Sequence, residues 1–186
     1  MSPAPTRSDS LRIRSALLAQ ARIMLEADGH PIALNALARR AGVGVGTVYR
    51  HFPTSQALLE AVASEALDEL RAEVVAAAAS PDAWAGLERV VRAQVRMELA
   101  HPGVREVLAT AVAAEPRTAA AMTEMATLVD RLLERAWDAR RLHAPVRAAD
   151  LRNMLCGVGY TAGLVPQRAE AVAAFFADVV LRGLRA

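Results

Sequence analysis

The sequence predicts an all-α protein of about nine helices, a small three-helix head joined to a larger helical bundle. Three observations carry that expectation. Ala is the dominant residue, with many Leu, Val and Arg, and such a composition favours helix over sheet. Apolar residues recur at helical rather than alternating spacing. Gly and Pro fall between those periodic stretches, with no strand pattern, repeat or low-complexity tract. With 54% apolar residues among 186, a substantial core can be buried.

Residues 1–8 hold two prolines and several small polar residues, and read as a flexible arm. The first helix is expected from Asp9 to Asp28, with Ile13, Leu17, Ala21, Met24 and Leu25 as its apolar stripe. Gly29 stops it and Pro31 follows. A short second helix covers Leu34 to Ala41 and stops at Gly42. A short third covers Val45 to His51, and Pro53 prevents its continuation because the ring clashes with the preceding turn. Ser55 is expected to cap a long fourth helix, Gln56 to Ala79. Ser80-Pro81-Asp82 opens the fifth, with Ser80 at the cap, and that helix ends near Ala100. Pro102-Gly103 opens a sixth helix to Ala114, and Pro116 a seventh to Leu142. After a break at His143-Ala144-Pro145, the eighth runs from Ala148 to Leu164, and Pro166 leads into a ninth ending at the C-terminus. The expected organisation is an arm (1–8), a head (9–54) and a body (55–186).

The stretch Leu34 to Phe52, LNALARRAGVGVGTVYRHF, carries the chemistry. Two helices of about two turns, joined through a glycine-containing turn, fit a helix-turn-helix. Leu37, Ala38 and Val43 would face the core with Val48 and Phe52. Thr47, Tyr49, Arg50 and His51 remain as the polar surface of the second of these helices. Gly44 and Gly46 let the backbone approach DNA closely. Thr, Tyr and His are natural phosphate donors, and Arg can fork onto guanine in the major groove. Spacing by itself leaves an ordinary helical corner open.

The run His30 to Val62, HPIALNALARRAGVGVGTVYRHFPTSQALLEAV, resembles the TetR-family signature, in which an I-A-x-x-A-G-V-S-x-G-T-x-Y-x-H-F core precedes a proline and a further helix. With the first helix included, the resemblance covers about a third of the chain, and the rest agrees in helix count and order. It implies a dimer that binds a palindromic operator and usually releases it when a small molecule occupies the C-terminal domain. By position, it implies that Thr47, Tyr49 and His51 contact DNA. Three places depart from the pattern: Gly44 stands for the usual Ser cap, Val45 for a frequent Lys, and Ser55 for a frequent Lys. Without those two cations, affinity for the DNA backbone is expected to rest on Arg39, Arg40, Arg50 and the N-terminal arginines. Val45 is expected to meet a thymine methyl, with Gly46 beside it.

Charge agrees with a DNA-facing head. Through Ser55, seven Arg stand against Asp9, Glu26 and Asp28, whereas the remaining chain has 15 Arg against 17 acids. A basic first third on a near-neutral body suits an acidic partner. All 22 basic residues are Arg. The single cysteine, Cys156, excludes an internal disulfide; it reads as a small core or pocket residue, with a redox sensor as the lesser alternative. His30, His51, His101 and His143 are far apart, so no metal and no cofactor is expected. No phosphate loop, nucleophile elbow or acid pair suggests an enzyme. The N-terminus lacks an apolar signal core, and no uncharged run of about 18 residues suits a membrane span, so a cytoplasmic protein without membrane contact is expected.

Three stripes offer a candidate cavity. The fifth helix carries Trp84, Leu87, Val91, Gln94 or Val95, and Met97; the seventh carries Met122, Met125, Val129 and Leu132; the eighth carries Met154, Leu155 and Val158. By spacing these are ordinary core. The resemblance implies an effector cavity among the fourth to eighth helices, which makes Val91, Gln94, Met97, Met122, Met125, Val129, Met154 and Val158 its candidate residues. Methionines adapt to varied ligands, and Gln94 gives one polar anchor among apolar walls. Gly157, Gly159 and Gly163 permit close helix approach. The ninth helix carries Val172, Phe175, Phe176, Val179 and Val180, more apolar surface than one small chain can hide. Gly157, Val172, Phe175, Phe176 and Val179 are therefore the candidate residues of a two-fold, four-helix homodimer interface. The expected function is a homodimeric repressor whose operator affinity is lowered by a small, mostly apolar effector. Alternatives are an activator, a ligand-insensitive regulator or, more remotely, a helical small-molecule carrier.

Overall fold

The computed structural model describes residues 7–28, 31–110 and 112–186. Among them lie nine α-helices and no β-strand: α1 Arg7–Asp28, α2 Leu34–Ala41, α3 Val45–His51, α4 Ser55–Ala78, α5 Ala83–Ala100, α6 Pro102–Ala109, α7 Pro116–Asp138, α8 Ala148–Gly163 and α9 Ala169–Leu184. Most of the expected arm, with Gly29 and His30, lies outside the described residues, whereas Arg7 and Ser8 already belong to α1.

The head forms because its punctuation is unambiguous. Gly42 adopts φ 66°, a left-handed conformation open to glycine at little cost, and its N–H closes the last turn of α2. Val43 then donates to Ala38 O at 3.1 Å. Leu17, Ala21, Leu37, Ala38, Val48 and Phe52 are buried together, with Ile13 and Val43 packed against them. The body is built around α4, which packs against α1, α5, α6 and α7, while α8 and α9 pack on each other and on α5.

Several helix ends differ from expectation, each for a local reason. Thr54, not Ser55, caps α4: its Oγ1 accepts from Ala57 N at 3.0 Å. Ser55 is already helical and donates to Ile32 O at 2.9 Å, tying α4 to the chain entering α2. Asp82 displaces Ser80 as the cap of α5, because it directly precedes Ala83 and its side chain accepts from Trp84 N and Ala85 N at 2.9 and 3.2 Å. Ser80 donates to Asp82 O instead. The helix α6 stops at Ala109 rather than Ala114, since Thr110 is extended and its hydroxyl donates back to Glu106 O. The helix α7 stops at Asp138 rather than Leu142, where Arg140 turns to φ 54° and Arg141 N donates to Ala136 O. Leu142 then pairs with Arg185 in an isolated antiparallel bridge. Pro166–Arg168 forms a 3₁₀ turn, so α9 begins at Ala169.

Candidate functional site

Helix α3 stands on the surface with one side buried. Val48 is fully buried, Thr47 and His51 are half-buried, and Val45, Gly46, Tyr49 and Arg50 are exposed, Tyr49 to 47%. A Cβ placed on Gly46 would meet nothing within 4 Å, so the backbone there is open to approach. Gly44 is extended and gives α3 no side-chain cap, so the departure from Ser leaves the first N–H groups of α3 without a hydroxyl partner. Arg50 Nε donates to Gly46 O at 3.1 Å, which lays the guanidinium along its own helix. Arg39 and Arg40 are exposed in the last turn of α2. Arg14, one of the N-terminal arginines, has a place under α3 that was not anticipated from the sequence. From α1 it stacks 4.6 Å over the Phe52 ring and donates to His51 O at 3.5 Å, bracing the C-terminal end of α3 with a cation. Its place one turn before Leu17, at the edge of the buried stripe, is the signal that was available.

A cavity of about 70 Å³ lies among α4, α5, α6, α7 and α8. Gln94, Met122, Met125 and Val129 share its wall with Leu70, Val74, Val90, Leu108 and Leu151. The other expected pocket residues lie elsewhere: Val91, Met97 and Val158 are buried in the surrounding core, and Met154 is exposed. Arg152 on α8 joins the wall unforeseen, because beside Leu151 an arginine reads as a surface residue.

Behind Gln94 sits a buried carboxylate. Glu98 is only 1% exposed, and its Oε1 accepts from Gln94 Nε2 at 2.8 Å and from Cys156 Sγ at 3.7 Å. Its Oε2 has no partner among the described residues. Burial, outweighing the Gln94 bond, pushes the Glu98 carboxyl up to about 7. Burial first and Glu98 second push the Cys156 thiol up to about 12. Cys156 therefore stays a thiol at neutral pH, unlike the thiolate a redox sensor requires. Gly159 makes room for this group: a Cβ there would collide with Glu98 Oε2. Gly159 thus serves packing within the chain, whereas Gly157 faces open space.

The outer side of α8 and α9 is apolar and uncovered. Phe175 is 58% exposed, and Phe176, Val179, Tyr160, Leu164 and Met154 are exposed with it, while Val172 is half-buried. Phe175 and Phe176 meet edge to face at 5.4 Å. Among the described residues, no three metal-ligating side chains converge, and no helix is long and apolar enough to cross a membrane.

Residues 17–62 match the family model described as bacterial regulatory proteins, tetR family. A TetR transcriptional regulator from Streptomyces coelicolor is 30% identical, with 92% of this chain and 98% of that chain covered and a TM-score of 0.52. A protein of unknown function from Rhodococcus sp. RHA1 is 26% identical, with 94% and 96% covered and a TM-score of 0.57. SmeT, solved as a complex with triclosan, shares the fold at 19% identity, with 94% and 92% covered and a TM-score of 0.60. No curated protein sequence matches the chain. An exposed helix-turn-helix on an all-helical body, together with these matches, defines a transcription regulator of the helix-turn-helix class. The chain belongs to the TetR family of bacterial regulatory proteins.

Proposed function

We propose that this regulator is a cytoplasmic homodimeric repressor that reads a palindromic operator and leaves it when a small, mostly apolar effector enters the cavity among α4 to α8. The observation that carries the reading is α3 itself: a short helix with Val48 and Phe52 anchored beneath it and Val45, Gly46, Tyr49 and Arg50 presented outward. Residues 9–54 form the DNA-binding head in this reading, and 55–186 the sensing and dimerising body. Arg39, Arg40, Thr47, Tyr49, Arg50 and His51 hold DNA, with Gly46 and Val45 at the closest approach. The exposed faces of α8 and α9, with Gly157, Val172, Phe175, Phe176 and Val179, meet their symmetry mates. Gln94, Met122, Met125 and Val129 hold the effector; a protein of the same fold is known in complex with triclosan. Because α4 leaves the head and also forms a cavity wall, effector and operator oppose each other, and each lowers the other's affinity by the same factor.

Variants of α3 test the DNA-reading half. Thr47→Ala and Tyr49→Phe are each expected to weaken operator binding by about 1 kcal/mol, with circular dichroism and melting unchanged. Arg50→Ala is expected to weaken binding as well, and to relax base preference where Arg50 reads guanine. Gel-shift titrations in which all three bind like the parent remove α3 from the interface.

A further inference from the structure

The wall of the α4–α8 cavity is apolar except at one pole, where Gln94 and Arg152 stand together. The Arg152 Nε is buried and has no acceptor among the described residues. A buried guanidinium N–H without an acceptor is costly, and its planar fork matches a carboxylate better than any neutral group. Gln94 does not satisfy it. Its amide nitrogen is committed to Glu98 Oε1 at 2.8 Å and to the Arg152 carbonyl oxygen at 3.5 Å, which pins α5 against α8 at this point. No acidic side chain lines the wall. Asp130 accepts from Ala148 N at 2.7 Å, and Glu98 lies behind Gln94, where burial keeps much of its carboxyl protonated near neutral pH.

We infer that the effector is a small amphiphilic carboxylate, its head group paired with Arg152 and its aliphatic tail lying against Leu108, Met122, Met125 and Val129. This assignment rests on the reading of that cavity as the effector site. The cavity of about 70 Å³ takes the head group and first carbons. Met122 and Met125 have unbranched, flexible side chains and make room for the tail by changing rotamer.

Isothermal titration of the intact dimer at pH 7.5 with sodium octanoate, octanamide and 1-octanol tests the assignment, using wild type, Arg152→Met and Met125→Trp. Octanoate is expected to bind wild type about tenfold or more tightly than octanamide, the factor a charge-assisted pair supplies. Arg152→Met is expected to erase that preference while keeping its affinity for octanol, and Met125→Trp to weaken all three ligands. Neutral ligands that bind wild type as tightly as octanoate overturn the carboxylate assignment, and this arm depends on no variant. If they do so and Met125→Trp blocks them, the cavity stands as the effector site and only the head-group chemistry falls. If none of the three binds wild type, the carboxylate assignment falls. If they bind but Met125→Trp leaves every affinity unchanged, the cavity reading falls with it.

Discussion

Glu98→Gln is expected to flatten the pH dependence of stability and to leave the protein more stable than wild type above neutrality. Glu98 is 1% exposed, and its carboxyl is raised from 4.5 to about 7, chiefly by burial. Between those values the folded chain keeps a proton that the unfolded chain gives up. The stabilisation from the neutral carboxyl is therefore complete below 4.5, declines as pH rises, and is gone above about 7. A shift of this size corresponds to a loss on the order of 3 kcal/mol across the window. A glutamine at position 98 keeps an oxygen to accept from Gln94 and has no charge to bury. Urea unfolding of both proteins at fixed concentration, from pH 5 to 8, reads the difference directly. Parallel profiles would show that the carboxylate finds partners the described residues do not provide.

Glu60→Ala is expected to cost stability and to loosen the contact between α4 and the start of α7. Glu60 is buried on α4, two turns from the head, and its carboxylate reaches across to the start of α7. Its Oε1 accepts from Ala114 N at 2.7 Å and its Oε2 from Glu115 N at 2.9 Å, while Gln56 Nε2 donates to Oε1 at 3.0 Å. Helix α7 has no side-chain cap of its own, so Glu60 supplies the negative charge its N-terminus favours. Losing two charge-assisted bonds is expected to cost on the order of 3 kcal/mol. Glu60→Gln, which keeps one acceptor oxygen, is expected to cost less. Since α7 carries Met122, Met125 and Val129 of the cavity wall, Glu60→Ala is also expected to shrink the proposed coupling between effector and operator. Equal unfolding free energies for Glu60→Ala and wild type would contradict the capping role.

The head was legible because short-range rules decide it. Gly42 fixes the end of α2, Pro53 prevents α3 from extending, and the spacing of Leu37, Ala38, Val48 and Phe52 marks the buried side. Caps were less legible where two neighbouring residues, adjacent or one apart, were both competent. Thr54 prevails over Ser55 because Ser55 is drawn to Ile32 O, and Asp82 prevails over Ser80 because it directly precedes Ala83, while the Ser80 hydroxyl donates to Asp82 O. The segment after Ala109 reads as helix from composition alone. Its backbone instead pairs with Glu60, a partner some fifty residues away, and no local pattern reveals that. The cavity shows the same limit. Spacing finds Met122, Met125 and Val129, but it cannot tell Val91, sealed in the core, from Gln94, one turn on and at the wall. Arg152, Glu98 and Gly159 acquire their roles only once α5, α6 and α8 are packed together.

The most direct measurement of the DNA-reading role is enrichment of random duplex DNA on the purified wild-type protein, followed by footprinting of the winning sequence and sedimentation of the complex. The expected result is a palindrome whose half-site centres lie about 34 Å apart, one DNA turn, protected by two copies of the chain. Phe176→Asp, which in the proposed dimer would set a charge between the two copies of α9, is expected to sediment as a monomer and to protect that palindrome poorly. A wild-type protein that enriches no sequence, or that protects a palindrome while sedimenting as a monomer at micromolar concentration, would contradict this account.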